Sequence, residues 1–262
     1  MTTTLKILKY ELADVARGRW LPAYAAFFLL ATEALLRFGG TGEQALLSLM
    51  NIVLFVTPLM SLIFGTVYLY GAREFNELLL TQPIGRRQLF GGLYTGLSIP
   101  LALAFVIGVG IPFAARMGAT GGIASLAVLL TVGVALTLVF TALAFLIAVR
   151  LDDRAQGLGA AVLLWLLVAV VYDGLVMLGA ALFINYPLEK PLLALMLLNP
   201  LDLARVILLM TFDAAALMGY TGAVFQRFFG SATGLAVATG ALAVWLLLPL
   251  AGALRMFSRK DF

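Results

Sequence analysis

Six stretches of mainly apolar sequence, 20–36, 46–70, 89–115, 123–148, 158–184 and 230–256, constrain this chain more than any other feature. A helix of about 20 such residues crosses the hydrocarbon core of a bilayer. Backbone in lipid must bond its own polar groups, and helices do so segment by segment. The expected fold is an all-α integral membrane protein with six transmembrane helices. Composition agrees: 11% of the residues are charged and 63% apolar, with a mean hydropathy of +1.08. A soluble domain is about 25% charged and 45–50% apolar. An ordinary soluble enzyme, a disordered chain and a nucleic-acid-binding module are excluded, and the lipid bilayer is the first partner.

The basic residues set the orientation, because Lys and Arg collect on the cytoplasmic side. Lys6, Lys9, Arg17, Arg19, Arg73, Arg86, Arg87, Arg150, Arg154, Arg255, Arg259 and Lys260 fall on one set of connecting segments, twelve of the 17 in the chain. Only Arg37, Arg116, Lys190, Arg205 and Arg227 fall on the other. Both termini are therefore expected in the cytoplasm. The polar first twenty residues read as a retained N-terminus rather than a signal peptide. A seventh span over 203–226 would put the basic C-terminus outside and would carry Arg205 and Asp213. Residues 186–229 read instead as one external segment, broken by Pro187, Pro191 and Pro200, with short helices lying along the outer surface. No repeat or linker divides the chain, so 1–262 is a single membrane domain.

Two segments on the basic side are more than connectors. Residues 1–19 carry Leu5, Ile7, Leu8, Leu12, Val15 and Ala16 at near-helical spacing, with Glu11 and Asp14 among the charges and Trp20 following at headgroup level. This is an amphipathic interfacial helix, with a charged face that could also meet a soluble partner. Residues 71–88 lie within GAREFNELLLTQPIGRRQLF, a connection near twenty residues where helical bundles use 2–8. Its apolar Leu78, Leu79 and Leu80 lie between Glu74 and Glu77 on one side and Arg86 and Arg87 on the other, with Pro83 and Gly85 forcing a turn. Docking onto a cytoplasmic protein explains such a loop better than solvation does.

Those features resemble the ABC-2 type permease family: a short helical segment after the second span, ending in a Pro-x-Gly-Arg turn before the third. KYELADVARGRW near the N-terminus, LLNPLDLAR at 197–205 and FSRKDF at the C-terminus narrow the resemblance. They point to the branch of the family that serves maturation of nitrous oxide reductase. The resemblance implies a bacterial inner-membrane permease without catalysis of its own, present as two copies. Each copy would contact a cytoplasmic ABC ATPase, and a periplasmic right-handed β-helix protein would sit on the outer face. ATP and Mg would be bound by the ATPase. Glu11, Asp14, Glu74, Phe75, Glu77, Arg86 and Arg87 would be the contacts that receive the ATPase stroke. Asn199, Asp202 and Arg205 would belong to an external gate or partner contact within 186–229. The complex would move a sulfur species or deliver copper during assembly of the reductase's copper centres. The alternative is a general ABC-2 exporter of lipid, polysaccharide or drug.

The remaining chemistry is sparse. The chain has no Cys and no His, so it lacks a thiol nucleophile, the commonest metal ligand and the commonest neutral-pH base. Its nine Met residues are dispersed and read as core filler rather than a Cu(I) conduit. No G-x-x-x-x-G-K-[ST] phosphate loop occurs, so any ATP chemistry belongs to another polypeptide. No cofactor or metal is expected in this chain. Asp173 lies within the fifth span, where a charge costs at least about 2.5–3.5 kcal/mol. It reads equally as a residue on a substrate path and as an interhelical hydrogen-bonding group. As an ion-coupling group it would suit a secondary transporter, which the docking-like loop and the missing repeat symmetry argue against. Glu33 and Arg37 have the spacing of an i,i+4 ion pair, Asn199 or Asp202 can cap a helix after Pro200, and Asp152, Asp153 and Arg154 read as a solvated turn.

Overall fold

A computed structural model describes residues 18–39, 42–73, 85–116, 123–183, 189–211 and 232–259. Among them the regular structure is helical: α1 (Trp20–Phe38), α2 (Gly42–Gly71), α3 (Arg86–Ala115), α4 (Ile123–Arg150), α5 (Arg154–Leu182), α6 (Glu189–Leu197), α7 (Pro200–Thr211) and α8 (Ala232–Arg259). Six of these, α1 to α5 and α8, are long and apolar enough to span a membrane. The all-α, six-helix expectation therefore holds, with boundaries moved by a few residues.

The fourth helix is the centre of the bundle. Some 72% of its most apolar window is buried, against 17% for α1 and α5 and 22% for α8. Its sequence explains the position, because small residues let neighbouring backbones come close in a membrane bundle. Ala144 faces Gly65 of α2, where an added Cβ would lie 2.5 Å from the Ala144 Cβ. Gly133 leaves room for the ring of Phe105 on α3. Fully buried aromatic rings fill the rest: Phe28 meets Phe105 edge to face at 5.1 Å, and Phe145 receives Phe90 and Tyr94 at 5.7 Å. Such edge-to-face pairs add about 0.5–1.5 kcal/mol beyond area burial.

Contacts between helix ends fix how the helices alternate. At one end Arg73, just after α2, meets Asp152 in the turn after α4, and Arg86 of α3 meets the carbonyl of Ser258 in α8. That end also carries Arg19, Arg87, Arg150, Arg154, Arg255 and Arg259. At the opposite end Glu33 of α1 receives Arg37 at 2.7 Å, the expected i,i+4 pair, and also Arg116 of α3 at 2.6 Å. The segregation of Arg read from the sequence is thus a segregation between the two ends of one bundle.

Among the described residues two short helices stand between α5 and α8, but they do not lie along an outer surface. α6 and α7 meet at a bend of 109°, and α7 is inserted among α4, α8 and α2. Leu201, Asp202, Leu203, Ala204, Val206, Ile207, Leu208 and Leu209 are all buried. Apart from Asp202 and Arg205 on one face, α7 is apolar around its circumference, and so apolar a helix has little to give to water, which is why α7 folds into the bundle. The interfacial segment before residue 18 and residues 74–84 of the long loop lie outside the described residues.

Candidate functional site

The bend between α6 and α7 is a re-entrant tip, and its depth can be read from what it touches. The Asn199 side-chain amide donates to the carbonyl of Val168 at 3.0 Å. Val168 lies fourteen residues from each end of α5, or about 21 Å at 1.5 Å per residue. The indole N–H of Trp245, near the middle of α8, donates to the carbonyl of Leu197 at 3.1 Å. Both neighbours place the tip halfway along a membrane-length helix. α6 thus descends to mid-bundle and α7 climbs back.

Local sequence explains each contact. Over Leu167–Val171 α5 winds as a π-helix, a local form that frequently marks functional sites. The Val168 carbonyl in that turn accepts from Asn199. The last carbonyls of a helix have no partner in their own helix. In α6 the Leu197 carbonyl receives the Trp245 indole, and the Leu195 carbonyl receives the Tyr172 hydroxyl at 2.6 Å beside the Leu198 N–H. Asn199 Oδ1 accepts from the Leu201 N–H at 2.9 Å and so caps α7, while its amide serves α5. One side chain thus ends the turn and ties it to the neighbouring helix.

Above the tip lies the ionic part of the site. Arg205 Nη1 donates to Asp173 Oδ2 at 2.7 Å and to Asp202 Oδ1 at 3.3 Å. Asp202 is the most enclosed of the three, with its side chain 8% exposed, against 24% for Arg205 and 33% for Asp173. The four polar residues singled out in the sequence, Asp173, Asn199, Asp202 and Arg205, therefore form one cluster joining α5 to the re-entrant pair. The i,i+3 spacing of Asp202 and Arg205 puts both on one face of α7. Asp173 sits two residues beyond the π-turn. Two carboxylates thus share one guanidinium nitrogen.

Behind the tip, Ile207 and Thr211 line an apolar groove of about 500 Å³ with Val128, Leu138, Leu242 and Leu246. Among the described residues no three Asp or Glu converge to hold a metal ion. Trp245, Tyr172 and the π-turn are parts of the site that the sequence reading missed. Trp245 carried a usable signal: an indole N–H at mid-span needs a partner there, since buried Trp usually finds one. The π-turn carried none, because its residues LVAVV suit an α-helix equally well.

The proposed stroke contacts divide. Arg86 and Arg87 open α3; Arg86 donates to the Ser258 carbonyl at 3.1 Å, and Arg87 is exposed. Glu11, Asp14, Glu74, Phe75 and Glu77 lie outside the described residues.

The family described as ABC-2 family transporter protein matches residues 5–262. Over 243 aligned residues, 84% of this chain and 86% of the relative, the sequence is 32% identical to the probable ABC transporter permease protein NosY of Pseudomonas aeruginosa. A second protein of the same name, from Stutzerimonas stutzeri, is 29% identical over 233 residues, covering 82% of this chain and 84% of that one.

Proposed function

This chain belongs to the ABC-2 family of transporter proteins and is a NosY-like permease, and from that premise we propose that it is the membrane subunit of a NosDFY-like complex in nitrous oxide reductase maturation. In this reading two copies sit in the bacterial inner membrane with both termini in the cytoplasm. Each contacts a NosF-like ATPase that binds ATP and Mg, and a NosD-like periplasmic β-helix protein covers the outer face. The work done is transport of a sulfur species or delivery of copper. Glu74, Phe75, Glu77, Arg86 and Arg87, with Glu11 and Asp14, receive the ATPase stroke.

The observation that carries the mechanism is the re-entrant tip held at mid-bundle by Asn199 and by the Asp173–Arg205–Asp202 cluster. A turn at that depth blocks passage while its polar bonds hold, and releases it when they exchange. Irregular backbone at membrane depth is tolerated only inside protein or along a cavity. The tip is therefore the gate, and the 186–229 stretch supplies it together with the dock for the outer partner.

A second reading is favoured by one observation. The apolar groove behind α7 suits a general ABC-2 exporter of lipid, polysaccharide or drug, and of those cargoes it fits an acyl chain. One experiment separates the two: purification of the tagged chain from native membranes in mild detergent, with mass spectrometry of what accompanies it. An ATPase and a periplasmic repeat protein in comparable amounts support the NosDFY-like complex, whereas an ATPase alone supports the exporter. Recovery without any ATPase refutes both and leaves Asp173 as the centre of an ion-coupled mechanism. Glu74 or Arg87 variants should then insert normally but lose stimulated ATP hydrolysis; wild-type stimulation would refute the coupling-loop assignment.

A further inference from the structure

The residues flanking 74–84 are tied into the bundle at two separate places. On the α2 side, the Tyr70 hydroxyl donates to the Leu151 carbonyl at 2.9 Å. Arg73 donates to both the carbonyl and the carboxylate of Asp152, each at 3.1 Å. Gly157, in the first turn of α5, lies directly under this contact, and a Cβ there would fall on the Tyr70 hydroxyl. The same elbow starts α5 cleanly, because Asp153 caps it through the Gln156 N–H at 2.8 Å. Higher up, the Trp165 indole donates to the Phe55 carbonyl at 3.1 Å and joins α5 to α2 again. On the α3 side, Arg86 reaches the Ser258 carbonyl in the last turn of α8.

The elements reached by these ties are α5 and α8, the two helices that hold the re-entrant tip. α5 holds it through Val168, Tyr172 and Asp173, and α8 through Trp245. We propose that Tyr70 and Arg73 are positioning residues that make the α4–α5 elbow follow the end of α2, and so carry the ATPase stroke through α5 to the tip, with Arg86 carrying it to α8. This rests on the reading of 74–84 as the coupling loop. Energetics favour a transmitting role over a stabilising one. The Arg73–Asp152 pair is 39% and 70% exposed, and exposed ion pairs add little to stability. What the contacts add is direction: they make the inner end of α5 follow the end of α2. The π-turn at Leu167–Val171 lies between elbow and tip and is the place where α5 can change its winding as it is pushed.

The chain contains no Cys, so introduced thiols label cleanly. Spin labels at Leu182→Cys, at the far end of α5, and Phe38→Cys, at the far end of α1, report their separation in the assembled complex with its ATPase, with and without ATP. The wild type is expected to shift between two distances. Tyr70→Phe combined with Arg73→Gln should keep the ATPase bound and hydrolysing but reduce the shifted population about tenfold, within the range by which residues along a coupling path act. Gly157→Ala, which pushes Tyr70 off the elbow, should do the same. Exchanging the charges, Arg73→Asp with Asp152→Arg, should restore the shift, which a merely structural role would not require. A full shift in the Tyr70/Arg73 variant overturns the relay while leaving the coupling loop intact. A wild-type complex that binds the ATPase but shows no ATP-dependent shift overturns both.

Discussion

Replacing Arg205 by Met tests the ionic cluster most directly. The substitution keeps much of the side-chain length but leaves Asp173 and Asp202 without their shared cation at the level of the re-entrant tip. Removing one partner of a buried pair costs about 3–5 kcal/mol, because the remaining charge is uncompensated. A carboxylate alone near mid-membrane costs at least about 2.5–3.5 kcal/mol on insertion scales, a figure of the same size. Asp173→Asn breaks the shorter bond, 2.7 Å, and should cost about 1.5–3 kcal/mol, the worth of a hydrogen bond to a charged group. Asp202→Asn gives up the longer contact of 3.3 Å, keeps a polar group beside Asn199 and leaves Arg205 balanced by Asp173, so its effect should be smaller than that of Asp173→Asn. The combination Arg205→Met, Asp173→Leu, Asp202→Asn should recover to within about 1–2 kcal/mol of wild type, since well-packed apolar replacements of whole ion clusters are often neutral. Reversible unfolding in mixed micelles, followed by Trp fluorescence, reads the series, and Trp245 at the tip provides a local signal. An Arg205→Met variant as stable as wild type would refute the ionic clamp. So would a triple variant no better than the single one.

Three further substitutions probe other joints. Gly65→Ala forces a Cβ to 2.5 Å from Ala144 and should cost about 1–3 kcal/mol by overpacking; Ala144→Gly should restore stability in the same unfolding assay, and failure to rescue would place the strain elsewhere. Asn199→Ser keeps an oxygen to cap α7 but loses the amide that reaches Val168, so a loss of about 1 kcal/mol is expected. With it, a thiol placed at Leu198 should react faster with a membrane-impermeant reagent, and unchanged reactivity would show that this bond does not hold the tip. Glu33→Gln weakens the contacts to Arg37 and Arg116 at the end opposite the Arg-rich one; because the Arg37 pair is exposed and screened by salt, most of its difference in thermal stability from wild type should vanish at high ionic strength. A difference that persists undiminished in high salt would make Glu33 a structural residue.

The bundle was legible in the sequence because a membrane-spanning helix leaves a one-dimensional trace: an apolar run of sufficient length, ended by charge. Residues 89–115 and 123–148 became α3 and α4 with shifts of only a few residues, and the arginines sorted themselves between the two ends as orientation requires. What was not legible is which helix lies inside. α4 and α5 are similarly apolar, yet most of α4's window is buried and little of α5's is. The difference comes from small residues at contacts, such as Ala144 against Gly65 and Gly133 beneath Phe105. That pairing appears only when the partner is known.

The candidate site shows the same division more sharply. Asp173, Asn199, Asp202 and Arg205 stood out individually because a polar group among apolar neighbours needs a partner, and that argument is local. That they are partners of one another depends on α7 turning inward, and here the orientation rule and the burial requirement pull apart. Charge counting argues against 203–226 as a span, since six crossings keep the basic ends together. It is silent on what a non-crossing apolar helix does instead. Leu201, Leu203, Val206, Ile207, Leu208 and Leu209 cover every side of α7, so a surface position would leave part of that area in water at about 25 cal/mol per Å². Folding back into the bundle removes that cost, but it carries Asn199, Asp202 and Arg205 to membrane depth. There Val168, Asp173 and the Leu201 N–H meet their hydrogen-bonding needs. An apolar segment too charged to cross and too apolar to lie outside has re-entry as its remaining solution. The polar residues that forbid crossing are the ones that fasten the tip.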